Sequence, residues 1–175
     1  MTIKYFAYGS NMLEGRLRQR CPSARVLAVS QLKGWALSMH KRSKDGSGKA
    51  TIAPSSEPST SVFGVLYEID SDDLDPLDRA EGHGRGYTRV SIKVAMARSG
   101  ETVTAITYLA EEGAIDSSLY PYNWYVKLIM AGAKEHALPH GYIEQLSCIH
   151  AKADPVLARP SRRQALALLK EWENR

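Results

Sequence analysis

The chain has 175 residues, 43% of them hydrophobic and 24% charged, with a formal net charge of +4 at pH 7. That length suits one domain over residues 1–175 with a sizeable core, and no segment approaches the roughly 20 apolar residues that span a bilayer. The N-terminus lacks an apolar run behind a basic start, so no secretory signal is read and a cytoplasmic protein is expected.

Ile3 to Tyr8 alternates β-branched and aromatic residues as a strand does, and it ends at Gly9-Ser10-Asn11, residues able to turn the chain and cap a helix. A helix is predicted from about Met12 to Arg20, with Met12, Leu13 and Leu17 toward the core, stopping before Pro22. Val26–Val29, Trp35–His40, Thr51–Ala53 and Val62–Ile69 read as short strands, separated by Gly- and Ser-rich turns and by the Pro/Ser stretch at 54–61. Ser71-Asp72-Asp73 sets a capping hydroxyl and acids before a short helix that carries Leu74 and Leu77 and delivers Glu81. Tyr87–Ala97 and Thr102–Leu109 form a predicted hairpin around Ser99-Gly100-Glu101.

The second half turns helical. Tyr125, Leu128, Ile129 and Ala133 recur at helical spacing and stop at Leu138-Pro139, and a further helix is predicted at Tyr142–Ile149. Pro160-Ser161 with Gln164 reads as a capping box opening a C-terminal helix at about 161–173, whose Ala165, Leu168, Leu169 and Trp172 form one apolar stripe. Strands mingled with helices, without regular βαβ alternation, give an α+β class.

The common catalytic signatures are absent: no GxSxG elbow, Walker loop, HExxH or dinucleotide GxGxxG follows a strand. Cys21 and Cys148 are too few and too far apart for a four-ligand zinc site, and Pro139 breaks the helix that would align His136 with His140, so no metal is assigned. The basic clusters Arg16–Arg20 and Lys41–Lys44 have no interleaved aromatics and read as solvated faces, against a nucleic-acid partner. Gly82–Gly86 reads as a flexible loop, since no helix follows it to complete a phosphate cradle. Ser10 lacks a nominated base, so its role is structural, while the N–H groups of the turn around it can bind a carboxylate or a polarised carbonyl.

Three segments then agree in order and spacing. Tyr5-Phe6-Ala7-Tyr8-Gly9-Ser10-Asn11, Leu77-Asp-Arg-Ala-Glu81-Gly82 and Tyr125 through Glu135, followed by Leu138-Pro139, resemble the γ-glutamylcyclotransferase family, including its AIG2-like members, over roughly residues 3 to 147. The resemblance implies a small mixed β-barrel flanked by helices. It also implies that Tyr5 through Asn11 line the substrate, that Glu81 is the proton acceptor and that Tyr125 contacts substrate from the later helix. The run His83–Gly86 and the residues after Arg159 match no motif of that family. Glutathione-specific relatives carry Leu where this chain has Asn11, which weighs against glutathione.

In a γ-glutamyl amide the α-amine can attack its own γ-carbonyl, closing 5-oxoproline and releasing an amino acid or amine. The nucleophile is already intramolecular, so binding has to fold the substrate, a base has to deprotonate the amine and an acid has to protonate the leaving nitrogen. An enclosed Glu81 could do both, and no step needs a cofactor. Two alternatives stand beside this: the same chemistry on a γ-glutamyl group attached to an amine, and a non-catalytic small-anion or protein-binding module on the same scaffold. A homodimer is left open.

Overall fold

The computed structural model describes residues 1–175. Five strands, β1 (Thr2–Ala7), β2 (Arg25–Lys33), β5 (Ser61–Asp70), β6 (Tyr87–Met96) and β7 (Thr102–Ala110), close a barrel in the order β1-β5-β2-β6-β7. Every neighbouring pair is antiparallel except the closing one, where β1 runs parallel to β7 with Tyr5 opposite Ile106, so the barrel is mixed. Between β2 and β5 the chain makes a separate two-stranded ribbon, β3 (Trp35–Arg42) and β4 (Gly48–Pro54). β5 lies between β1 and β2, and the consecutive residues Gly64 to Tyr67 are all buried, so its apolar run replaces the alternation of a one-sided strand.

The expected hairpin and all five expected earlier strands are present; β1 is shifted by one residue, and β2 to β5 each run longer than predicted, because backbone pairing continues through polar positions such as Gln31 and Lys33. The first helix differs. Ser10–Met12 form a single 3-10 turn, Leu13 is extended (φ −70°, ψ 112°), and only Glu14–Arg18 (α1) is α-helical. Met12, Leu13 and Leu17 are buried as expected, and the break at Leu13 lets all three reach the core. Ser10 is no helix cap: its hydroxyl makes no capping bond and accepts Arg16 Nε at 3.0 Å.

A 3-10 turn at Ser71–Asp73 leads into α2 (Leu74–Glu81). Ser71 makes no capping bond, and Asp73 turns away from the helix to accept the Ser23 N–H and hydroxyl. The helix stops at Gly82 in the left-handed conformation (φ 76°), where the N–H groups of Gly82 and His83 return to Asp78 O. Glu81 is therefore the last helical residue.

Helix α3 (Asn123–Glu135) packs across the Ser10–Met12 turn, and α4 (His140–Ser147) and α5 (Pro160–Glu173) pack on α3. Helix α5 begins with Pro160 in its first turn and without a capping box. Ser161 makes no capping bond, and Gln164 reaches across to Gln19 instead. Asp154 fixes the approach to this helix, its buried carboxylate accepting Trp124 Nε1 at 2.9 Å and Arg159 Nε at 2.8 Å. One cluster of 37 buried residues runs from Tyr5 to Leu169. No helix is long and apolar enough to cross a membrane.

Candidate active site

At the end of the barrel where β1 stops and β6 starts lies a narrow chamber. Its walls are Tyr5, the Tyr8–Asn11 loop, Ala50 of β4, Glu81 at the end of α2, Tyr87 of β6, Thr107 and Tyr108 of β7, and Tyr125 of α3. The chamber's volume of about 30 Å³ holds little more than a water-sized group. At Ser10, Glu81, Tyr87 and Tyr125 it opens into a vestibule of about 360 Å³. Any larger molecule that reaches Glu81 must therefore extend into this outer space.

Glu81 stands at the boundary, and its carboxylate is held by residues far away in sequence. Its Oε1 accepts Asn11 Nδ2 at 2.8 Å and Arg20 Nη1 at 2.5 Å, while Oε2 accepts no protein donor. Arg20 also donates to Asn11 Oδ1 at 2.8 Å, and Asn11 Nδ2 reaches Tyr5 Oη at 2.9 Å. The four side chains form one network in which the amide of Asn11 is fully oriented by its partners. Expected to be enclosed, the Glu81 side chain is only 17% exposed and its partner Arg20 21%.

The donors around this carboxylate are only partly used. Tyr5 Oη accepts from Asn11 but donates to no protein group. Burial first, and then the Glu81 charge, push its phenol well above the ordinary value, so it stays a neutral O–H donor. The Gly9 N–H on the chamber wall donates to no protein acceptor. Tyr125 Oη accepts the Ala50 N–H at 3.1 Å, and Tyr87 Oη donates to Ala50 O at 2.5 Å, tying β4 to the chamber. Burial likewise raises the Tyr125 phenol, and it remains protonated.

Of the residues assigned to this site from sequence, Tyr5, Tyr8, Gly9, Ser10, Asn11, Glu81 and Tyr125 come together on the chamber wall. Phe6 and Ala7 do not. Strand alternation turns Phe6 to the other side of β1, where its ring covers Gly64, and Ala7 is buried against the same strand. The Phe6 carbonyl does serve the site indirectly by accepting the Thr107 hydroxyl at 2.8 Å.

The two basic clusters, expected as solvated faces, supply much of the vestibule wall; Arg42 and Lys44 are solvent-exposed there, and Arg18 stays outside it, paired with Glu14. Arg16, Arg20, Arg42, Arg79 and Arg85 with Lys41, Lys44 and Lys49 surround the vestibule, in which Glu81 is the single acid. The aromatics missing from those sequence clusters come from elsewhere, Tyr87 lying 4.6 Å from Lys41 Nζ and Tyr125 lying 4.9 Å from Lys49 Nζ. No local pattern could have signalled this, because strands and helices distant in sequence supply the walls. His136 and His140 are not brought together: His136 Nε2 lies 3.0 Å from Met12 O, and His140 pairs with Glu144 on the surface. A separate groove of about 420 Å³ between β3 and α4 is mainly apolar and contains none of the site residues.

Comparison with known proteins agrees with this geometry. The sequence profile described as the AIG2-like family matches residues 61–146. The human protein named gamma-glutamylcyclotransferase is 38% identical over 151 residues, covering 83% of this chain and 77% of its own. The mouse protein of that name is 36% identical over 154 residues, covering 85% and 79%. A solved structure titled gamma-glutamyl cyclotransferase superposes with a TM-score of 0.86 at 31% identity, over 98% of this chain and 99% of that one. With a mixed barrel of the same architecture and relatives of this identity over most of its length, the chain belongs to the γ-glutamylcyclotransferase family of enzymes.

Proposed function

We propose that the chain converts a γ-glutamyl amide into 5-oxoproline and a free amine-bearing product, with Glu81 as its acid/base. The observation that carries this is the asymmetry of the Glu81 carboxylate. Oε1 is pinned by Arg20 and Asn11, and Oε2 is left without a protein donor at the mouth of the chamber. A carboxylate fixed on one oxygen can exchange a proton through the other without losing its position.

In the reaction, the α-ammonium first loses a proton to solvent. The free amine attacks the γ-carbonyl, Oε2 accepts the second proton from the attacking nitrogen, and the bond to the leaving nitrogen breaks as Oε2 returns the proton to it. The new C–N bond closes the lactam, and no external reactant is consumed. Negative charge grows on the γ-oxygen during attack. The Tyr5 hydroxyl and Gly9 N–H are fixed donors of the kind that stabilise such charge or hold the α-carboxylate. Their positions are set before substrate arrives, so little reorganisation is needed.

The test is release of 5-oxoproline from γ-glutamyl-alanine by the protein and by Glu81→Gln. Gln keeps an acceptor for Arg20 and Asn11 but has no transferable proton. The variant should fold and lose on the order of 10²–10⁴-fold in kcat/KM. Full activity in Glu81→Gln would remove Glu81 from the mechanism.

A further inference from the structure

We propose that the basic vestibule selects γ-glutamyl substrates whose leaving group is itself acidic, carrying two carboxylates rather than one or none. This rests on the cyclotransferase reading of the same site. Because the inner chamber holds little more than a water-sized group, most of a bound substrate, the part beyond the scissile bond included, lies in the vestibule, and the vestibule is charged far beyond what the protein's own acids neutralise.

Three of its cations are already matched within the protein. Arg20 pairs with Glu81, Lys49 with Asp45 at 2.8 Å, and Arg42 with Asp116 at 3.8 Å. Arg16, Lys41, Lys44, Arg79 and Arg85 have no carboxylate within ion-pair distance. Two of these five stand at the boundary with the chamber. Arg16 is half-buried and donates to the Ser10 hydroxyl, and Lys41 lies over the Tyr87 ring. Desolvating a guanidinium beside another guanidinium is unfavourable, and it lowers Arg16 to a pKa of about 10. Desolvation also lowers Lys41. An anion bound between them relieves both costs.

The remaining three, Lys44, Arg79 and Arg85, are exposed at the outer rim, where they attract but only weakly fix a second negative group. The inner pair suits the α-carboxylate that every γ-glutamyl amino acid carries in its leaving group. The outer three suit an additional carboxylate farther from the scissile bond. An uncharged amine leaves all five cations unmatched. The order expected is therefore γ-glutamyl-glutamate above γ-glutamyl-alanine above a γ-glutamyl alkylamide.

The experiment compares kcat/KM for those three substrates at low ionic strength and at about 0.5 M salt, where the Debye length shrinks to a few ångströms. The native protein should favour γ-glutamyl-glutamate over γ-glutamyl-alanine by about tenfold at low salt, with the ratio falling toward one at high salt. Arg79→Gln, Arg85→Gln and Lys44→Gln should each lower that ratio by about 1.5- to 5-fold, the range of a solvent-screened charge pair. These side chains are exposed, so folding is not at stake, and the salt series on the native protein reads the same effect without any variant. Equal turnover of the three substrates, or a preference insensitive to salt and to the variants, would overturn the proposal alone. No 5-oxoproline from any of the three would overturn the cyclotransferase reading and the proposal with it.

Discussion

The most exacting packing contact behind the site is at Gly132, where α3 crosses the turn that carries Ser10 and Asn11. A Cβ at this position would stand 2.4 Å from Leu13 N and 2.5 Å from Met12 C, both backbone atoms, against ordinary contact from 3.4 Å outward. Restoring that contact requires helix and turn to separate by about 1 Å, and neither neighbour is a side chain that can swing aside. Overpacking of this kind costs about 3 kcal/mol, and the better helix propensity of Ala returns about 1 kcal/mol, leaving Gly132→Ala about 2 kcal/mol less stable. For a chain of this size that corresponds to a Tm lower by roughly 4–8 °C. The same separation moves Tyr125, two turns earlier on α3, away from Asn11 and Glu81, so kcat/KM should fall about 100-fold, the usual consequence of a 1 Å misplacement. Thermal unfolding monitored by circular dichroism, alongside 5-oxoproline release from γ-glutamyl-alanine, reads both effects. Gly141→Ala in α4 is the matched control: nothing lies within 4 Å of its added methyl, and it should be neutral or stabilising by up to about 1 kcal/mol. A Gly132→Ala protein with unchanged Tm and unchanged turnover would refute the reasoning.

Arg20→Met removes the donor shared by Glu81 Oε1 and Asn11 Oδ1. It should lower kcat/KM by about 10- to 100-fold because carboxylate and amide both lose their fixed orientation, and a crystal structure of the variant should show Asn11 turned. Asp154 bears on acid stability. Burial raises its carboxyl, but donors from Arg159, Val156 and Trp124 outweigh that and hold it at about 2, below the ordinary 3.8. A depressed native pKa stabilises the fold above the unfolded value and loses that contribution as pH falls from about 4 to about 2. Asp154→Asn should therefore flatten the pH dependence of urea unfolding in that window. It should also cost about 1–3 kcal/mol at neutral pH, where Arg159 loses its counter-charge.

Much of the fold was legible because it is local. The alternating residues of β1, the hairpin β6–β7 and the apolar stripe of α3 each declare their element within a dozen residues, and Gly82 marks where α2 ends. The helical caps assigned to Ser10, Ser71 and Ser161 did not materialise: a short polar side chain before a helix marks a possible cap, and local sequence does not decide whether the bond forms. Ser10 serves Arg16 instead. The site was legible in part for the same reason. Residues 5–11 form one continuous segment, but the strand's pleat turns Phe6 away from the chamber, and Ala7, buried against the neighbouring strand, is not on the chamber wall either. Tyr87, Thr107 and Tyr108 escaped notice because only barrel closure brings them to the chamber, and Ala50 because the separate β3–β4 ribbon delivers it there. The vestibule was hidden for a related reason: Arg20 and Glu81 are 61 residues apart, and each basic cluster taken alone resembles ordinary surface.

Closure of the barrel through β1 and β7 also bears on when the protein acquires its site during folding. The Phe6 carbonyl and the Thr107 hydroxyl that join across this seam are 101 residues apart in the chain, and Tyr125 arrives later still. Ordering so long a loop carries an entropic cost that nearby pairings, such as the β6–β7 hairpin, do not face, so the seam belongs among the late events. On the ribosome β1 must wait, one edge unpaired, until β7 has emerged. The nascent chain can thus hold Glu81 on a formed helix well before it holds the pocket in which that carboxylate is placed.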